Sequence, residues 1–269
     1  FPMSANSVDP WFKIVSEPLY EKTVEFLKTG YLYAMDETSA QLAAETGASA
    51  LSSSWLVSLV LIALALVARG SFGSTLKKEG HKKYYAKKSF SILVVFEVYV
   101  EFIRNLSDSL IGRENTKKFF WLFGGIFLYI LANNLLGLLP GAVSPSQSIS
   151  NNFAIATVVL VFFTVIGFAR QGFGFLKHMM GPVWYLAPLI FVIELFSTFV
   201  VRPGSLSLRL AGNMNGDHAV LGVTYQFAEY ILPTIALGLG TFVSFVQAFV
   251  FTLLTIIYVV FSLGHDDHN

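Results

Sequence analysis

PLIFVIELFSTFVVRPGSLSLRLAGNMNGDHAVLGVTYQF at 188–227 and YILPTIALGLGTFVSFVQAFVFTLLTIIYVVFSLG at 230–264 decide the fold. Glu194, Arg202, Arg209 and Asp217 are the only formal charges in the two runs, so both read as helices lodged in hydrocarbon. Helices of about 38 and 34 residues within them would reach roughly 57 and 51 Å at about 1.5 Å per residue, against a hydrocarbon core of roughly 30 Å. Neither can stand upright. Either each is broken, or both lie about 60° from the membrane normal, far outside the usual tilt.

The rest of the chain fits the same solvent. Of 269 residues, 54% are hydrophobic and 13% charged, and the mean hydropathy is +0.63; a soluble domain carries about 25% charged residues. Residues 1–118 hold 14 of the 18 Lys and Arg, and only Arg170, Lys177, Glu194, Arg202, Arg209, Asp217 and Glu229 are charged between 119 and 264. A net charge of +1 gives no argument for nucleic acid, and 26 Phe within apolar runs are ordinary lipid-facing or packing residues. With no cysteine there is neither a disulfide framework nor a thiolate site.

Residues 1–50 form a more polar extension in which Glu17 to Thr29 predicts a short amphipathic helix, with Ser16 as N-cap and Gly30 as its stop. It is expected at a membrane surface or against a partner. Thr46 to Ala68 is an uncharged first span. Lys77, Lys78, Lys82, Lys83, Lys87 and Lys88 follow it, placing that loop in the cytoplasm or matrix and the N-terminus outside. Glu97, Glu101, Arg104 and Asp108 recur at helical spacing and predict an interfacial helix over 89–112. Phe119 to Ala169 carries no charge but is interrupted by Gly137, Pro140, Gly141 and Pro145, giving two spans at about 119–139 and 153–169. The expected fold is therefore an all-α polytopic integral membrane protein. It has about five crossings, a membrane domain over 51–269, a long, strongly tilted hairpin at 186–264 and an inner C-terminus.

Arg209 lies too deep to reach water by snorkelling and stays charged at any working pH, at a cost of at least about 2.5 kcal/mol in mid-bilayer. It needs a carboxylate within the bundle, for which Glu194 or Asp217 is available, or a wet partner surface. On a helix, Arg202, Ser205, Gly212, Asn213 and Gly216 fall within about 60° of it, while His218 falls about 180° away. That face is smooth enough for another helix to approach closely, and a fixed cation on it would favour the ionised form of an arriving acid. His218 is either a hydrogen-bonded packing residue or a proton carrier. Asn133, Asn134, Asn213 and Gln247 are either interhelical hydrogen-bonding groups or the lining of a water path.

These residues resemble a known family. LSLRLAGNMNGDH at 206–218 is similar to a signature of subunit a of the rotary, F-type ATP synthases, in which an essential arginine precedes asparagine by four residues and His or Glu by nine. SFVQAFVFTLLTIIY at 244–258 is similar to the paired glutamine-bearing helix, and NNLLGLLPG at 133–141 to the family's Asn-Leu-x-x-Leu-Leu-Pro turn. The resemblance implies a non-catalytic, proton-conducting stator in an energy-transducing membrane, either mitochondrial inner or bacterial plasma. Its implied partners are a ring of c subunits, b-type peripheral-stalk subunits, other Fo subunits and lipids, with no cofactor or metal. Arg209 would face the ring carboxylates and separate two aqueous half-channels. Asn213, His218, Gln247 and Asn134 would belong to the outer half-channel, and Glu194 to the inner mouth.

Two departures stand out. The acidic or His residue that the family places seven positions before the glutamine is Gly240 here, and the inner carboxylate sits one position early, a displacement a helical bulge would absorb. Asp217 and His218, fed by Glu229 at the outer mouth, are expected to replace the missing group. The HDDH tail at 265–268 reads as a solvated terminus, and no phosphate loop is present, so ATP chemistry falls to other subunits. A proton-coupled transporter or a structural anchor are the alternatives, distinguished by internal repeats and by tolerance of Arg209→Ala.

Overall fold

The computed structural model describes residues 17–31, 37–76, 92–139, 142–172, 174, 187–227 and 231–263, and among them the chain is helical with no strand. The elements are α1 (Glu17–Tyr31), α2 (Glu37–Leu76), α3 (Ile92–Gly137), a 3-10 turn (Pro145–Gln147), α4 (Ile149–Gln171), α5 (Ala187–Phe196), a π turn (Ser197–Val201), α6 (Arg202–Phe227) and α7 (Ile231–Leu263). Five stretches are long and apolar enough to cross a membrane: Gly47–Gly70, Val94–Gly137, Ile149–Gln171, Pro188–Phe227 and Ile231–Leu263. The protein is an all-α polytopic membrane protein. Most of the lysine loop, Lys177, Glu229 and the HDDH tail lie outside the described residues.

The amphipathic N-terminal helix forms from Glu17 as its pattern predicted, runs through Gly30 to Tyr31 rather than stopping at the glycine, and folds back on this chain itself. Tyr20 is buried and donates its hydroxyl to the Glu45 carbonyl at 3.4 Å. Helix α2 begins at Glu37 and continues through residue 50 into the first span without interruption. The acidic-striped segment and the next span are joined end to end in α3, where Gly112 (φ 76°, ψ 160°) breaks the helical path. That φ is strained for any residue with a side chain.

Among the described residues neither long run is broken: Pro188–Phe227 and Ile231–Leu263 are each continuous. Pro188 and Pro233 each sit in a first helical turn, where the missing N–H costs nothing. Pro203 lies deeper, and its lack of a donor and its ring strain the preceding turn. The π turn at Ser197–Val201 is found there, the wider turn accommodating one extra residue. The runs of 40 and 33 residues are roughly 60 and 50 Å long, so a core of roughly 30 Å takes them only at a steep incline.

Helices α3, α4, α6 and α7 share one core, in which Ile103, Phe123, Phe127, Phe163, Leu210, Phe251 and Ile256 are buried. Phe127 meets Phe245 edge-on at 5.7 Å. Large apolar side chains such as Leu59, Val158 and Phe242 point outward, as lipid as solvent permits. The helices approach closely at Gly137: a Cβ there would run into the Met214 side chain and lie 2.6 Å from Ser144 Cβ. Gly137→Val is therefore expected to cost about 2 kcal/mol through overpacking, seen as a lowered midpoint in detergent thermal melting. An unchanged midpoint would show that α3 and α6 tolerate separation there.

Candidate functional site

Arg209 lies on α6, 21 residues after Pro188 and 18 before Phe227, close to the middle of that span. It is exposed, and among the described residues no hydrogen bond or ion pair engages it. Glu194, one of the two carboxylates available to it in sequence, is taken elsewhere: Arg202 Nη2 lies 2.7 Å from Glu194 Oε1. Asp217, the other, faces a different neighbour. The structural ion pair is thus not formed among the described residues.

Around Arg209 the surface is small and open. Ser205, Gly212, Asn213 and Gly216 are exposed, and a Cβ added at Gly212 or Gly216 would meet nothing within 4 Å. Packing among the described residues does not require glycine at either position.

One turn beyond Arg209 the α6–α7 seam becomes polar. Asn213 Nδ2 donates to Gln247 Oε1 at 2.8 Å, tying the two helices of the hairpin. Behind this bond Asn134, Asn213, Asp217, Ser244 and Gln247, with Leu210, Met214 and Val243, enclose a cavity of about 10 Å³, close to the space a single water needs. Asn134 Oδ1, Ser244 Oγ and Gln247 Nε2 are buried with no partner in the protein. Buried polar atoms are rarely left unpaired, so this lining suits an ordered water and a hydrogen-bonded relay.

The structure therefore brings Asn134, Asn213, Asp217 and Gln247 together at one small site. His218 is half-buried beside it, its Nε2 also without a protein partner. Glu194 lies apart, near the π turn, and Glu229 lies outside the described residues. At Gly240 a Cβ would point at the Asp217 carboxylate, 3.7 Å from Oδ2, and press on Leu138 Cδ2 at 2.9 Å. The Asp217 carboxylate thus lies where a side chain on α7 would have brought its own polar group. Sequence reasoning missed Ser244, whose signal was a hydroxyl three residues before Gln247 on the same face of an apolar helix, and it missed the pairing of Arg202.

The family model described as ATP synthase A chain matches residues 51–260 of this chain. The chain belongs to that family. A protein named ATP synthase subunit a from Bdellovibrio bacteriovorus is 39% identical over 212 residues, covering 78% of this chain and 90% of the relative. Those of the same name from Geobacter sulfurreducens and Citrifermentans bemidjiense are 36% and 38% identical, covering 81% and 82% of this chain and 89% and 90% of their own. Of two clefts among the described residues, the polar one is water-sized, and the other, about 500 Å³, is lined by aliphatic side chains of α2, of α3 and the turn after it, and by Thr241 of α7.

Proposed function

We propose that this chain is the proton-conducting stator of an F-type ATP synthase, non-catalytic itself, in an energy-transducing membrane with its N-terminus outside and its C-terminus inside. Residues 51–269 form the conducting domain, residues 1–50 an outer extension, and 186–264 the inclined hairpin against a ring of c subunits. Stalk subunits of b type, other Fo subunits and lipid cover the remaining surface. The observation that carries this reading is the guanidinium of Arg209, without a partner among the described residues, at mid-span on an open face of small residues.

Arg209 would attract each ring carboxylate as it passes, favour its ionised form, and bar protons from crossing directly between the two half-channels. On the outer side, Asn134, Asn213, Gln247 and Ser244 hold the water through which protons arrive. Asp217 and His218 stand in for the group absent at Gly240, and Glu229 gathers protons at the mouth.

The test is proton-driven ATP synthesis in membrane vesicles. Asp217→Asn is expected to lower the rate about tenfold, within the range of one proton-transfer group, and Glu229→Gln to lower it more mildly. Full rates in both across pH 6 to 8, with loss in His218→Ala, would leave water alone to link His218 with the ring. Full rates in all three would remove the outer path from this seam.

A further inference from the structure

Arg202 precedes Arg209 by seven residues of uninterrupted α-helix, so the two guanidinium-bearing positions differ by about 20° in direction and about 10 Å along the axis. Both belong to the same stripe of α6. Their surroundings differ. Arg209 has no partner among the described residues, whereas Arg202 is held from two sides: Glu194 Oε1 lies 2.7 Å from its Nη2, and the Tyr258 ring of α7 lies 5.3 Å from its Cζ. Tyr258 is itself packed on Phe163 of α4 at 5.6 Å. Thr198 Oγ1, within the π turn, lies 3.5 Å from the same carboxylate oxygen. The wide turn sits between the two charged residues, eight positions apart.

We infer that Glu194 serves to neutralise Arg202, so that the stripe presents a single free cation, Arg209, to whatever passes it. This rests on the reading of Arg209 as the ring-facing charge and changes the role of Glu194 from proton carrier to positioning residue. Without its carboxylate, Arg202 would be a second free cation two turns from the first. The pair is about one third exposed, so a freed Arg202 would reach the surface of the stripe. A passing ring carboxylate would then be attracted to two places instead of one, and its release from Arg209 would no longer be followed by free diffusion away. With Glu194 in place, the Arg202 guanidinium is held between that carboxylate and the Tyr258 ring of α7.

The experiment is a double-mutant cycle in the assembled synthase, read as proton-driven ATP synthesis per assembled complex. Glu194→Gln alone is expected to lose about tenfold, as an uncompensated charge does. Adding Arg202→Gln to it is expected to restore the rate to roughly half of wild type or better, a non-additive pair. A proton carrier cannot be rescued that way. If Glu194→Gln fails to assemble while the double variant assembles and works, the unpaired Arg202 is again the cause. The inference is overturned if Glu194→Gln is neutral, or if the double variant is as impaired as the single one. Arg209→Ala in the same vesicles separates the two readings. Synthesis surviving that change removes the ring-facing role itself, whereas its loss beside an unrescued double variant removes only the neutralising role of Glu194.

Discussion

Arg209→Ala is expected to lower proton-driven ATP synthesis by about 100-fold or more, the scale on which a fixed charge acts in a low-dielectric site, while the complex still assembles. The asymmetry follows from where the guanidinium stands. It is exposed on α6 and engaged by no group among the described residues, so removing it breaks no contact within this chain. A charge near the middle of a span costs at least about 2.5 kcal/mol, and nothing described within the fold offsets that cost, so its benefit must come from a partner. Alanine is also a better helix former than arginine by a few tenths of a kcal/mol. The chain should therefore melt no earlier than wild type, and passive proton leak through the assembled membrane sector should rise as the barrier between the half-channels is removed. Near-normal synthesis in vesicles holding an assembled variant would reject the proposed role.

The spans were legible because charge is so scarce. A run such as Phe119 to Ala169 has no soluble reading, and the polar break at 140–148 leaves one place to turn. Whether the last two helices were broken or inclined was not legible, because hydrophobic periodicity is the same in both cases and only an uninterrupted backbone decides it. The π turn was foreshadowed: Glu194 stands one position early for its motif, and Pro203 gives that turn a local cause. What pairs with what was hidden. Arg202 and Glu194 are eight apart, outside the three-and-four spacing by which helical neighbours are recognised, and Tyr258 joins them only through the crossing of α6 and α7. The gap at Gly240 could be read from one line of sequence, but the approach of Asp217 to it could not, since it depends on the register between two helices. Ser244 is a similar case, ordinary on its own helix and notable only beside Asn134 and Gln247.

Gly212→Leu and Gly216→Leu are expected to lower proton-driven synthesis more than about tenfold, by a different route from loss of the arginine. Both positions lie on the Arg209 face, and a Cβ there would meet nothing within 4 Å among the described residues. Replacing glycine in a helix interior also gains roughly 0.5–1 kcal/mol, so the isolated subunit should be at least as stable as wild type in detergent. What a leucine would obstruct is a second helix. Small residues let backbones approach closely in a membrane, and a side chain several ångströms long would hold a ring helix away from Arg209. The Coulomb attraction between the guanidinium and an arriving carboxylate would weaken with that separation, and water would enter the gap and screen it further. The expected outcome is graded by size: Gly212→Ala close to wild type, Gly212→Leu below about one tenth of the wild-type rate, with less ring copurifying. Thermal melting of the purified subunit, ring copurification and vesicle synthesis measured together distinguish the causes. A subunit that melts earlier would mean the glycines serve its own packing. Full synthesis with the ring retained in both leucine variants would show that this face is not where the ring passes.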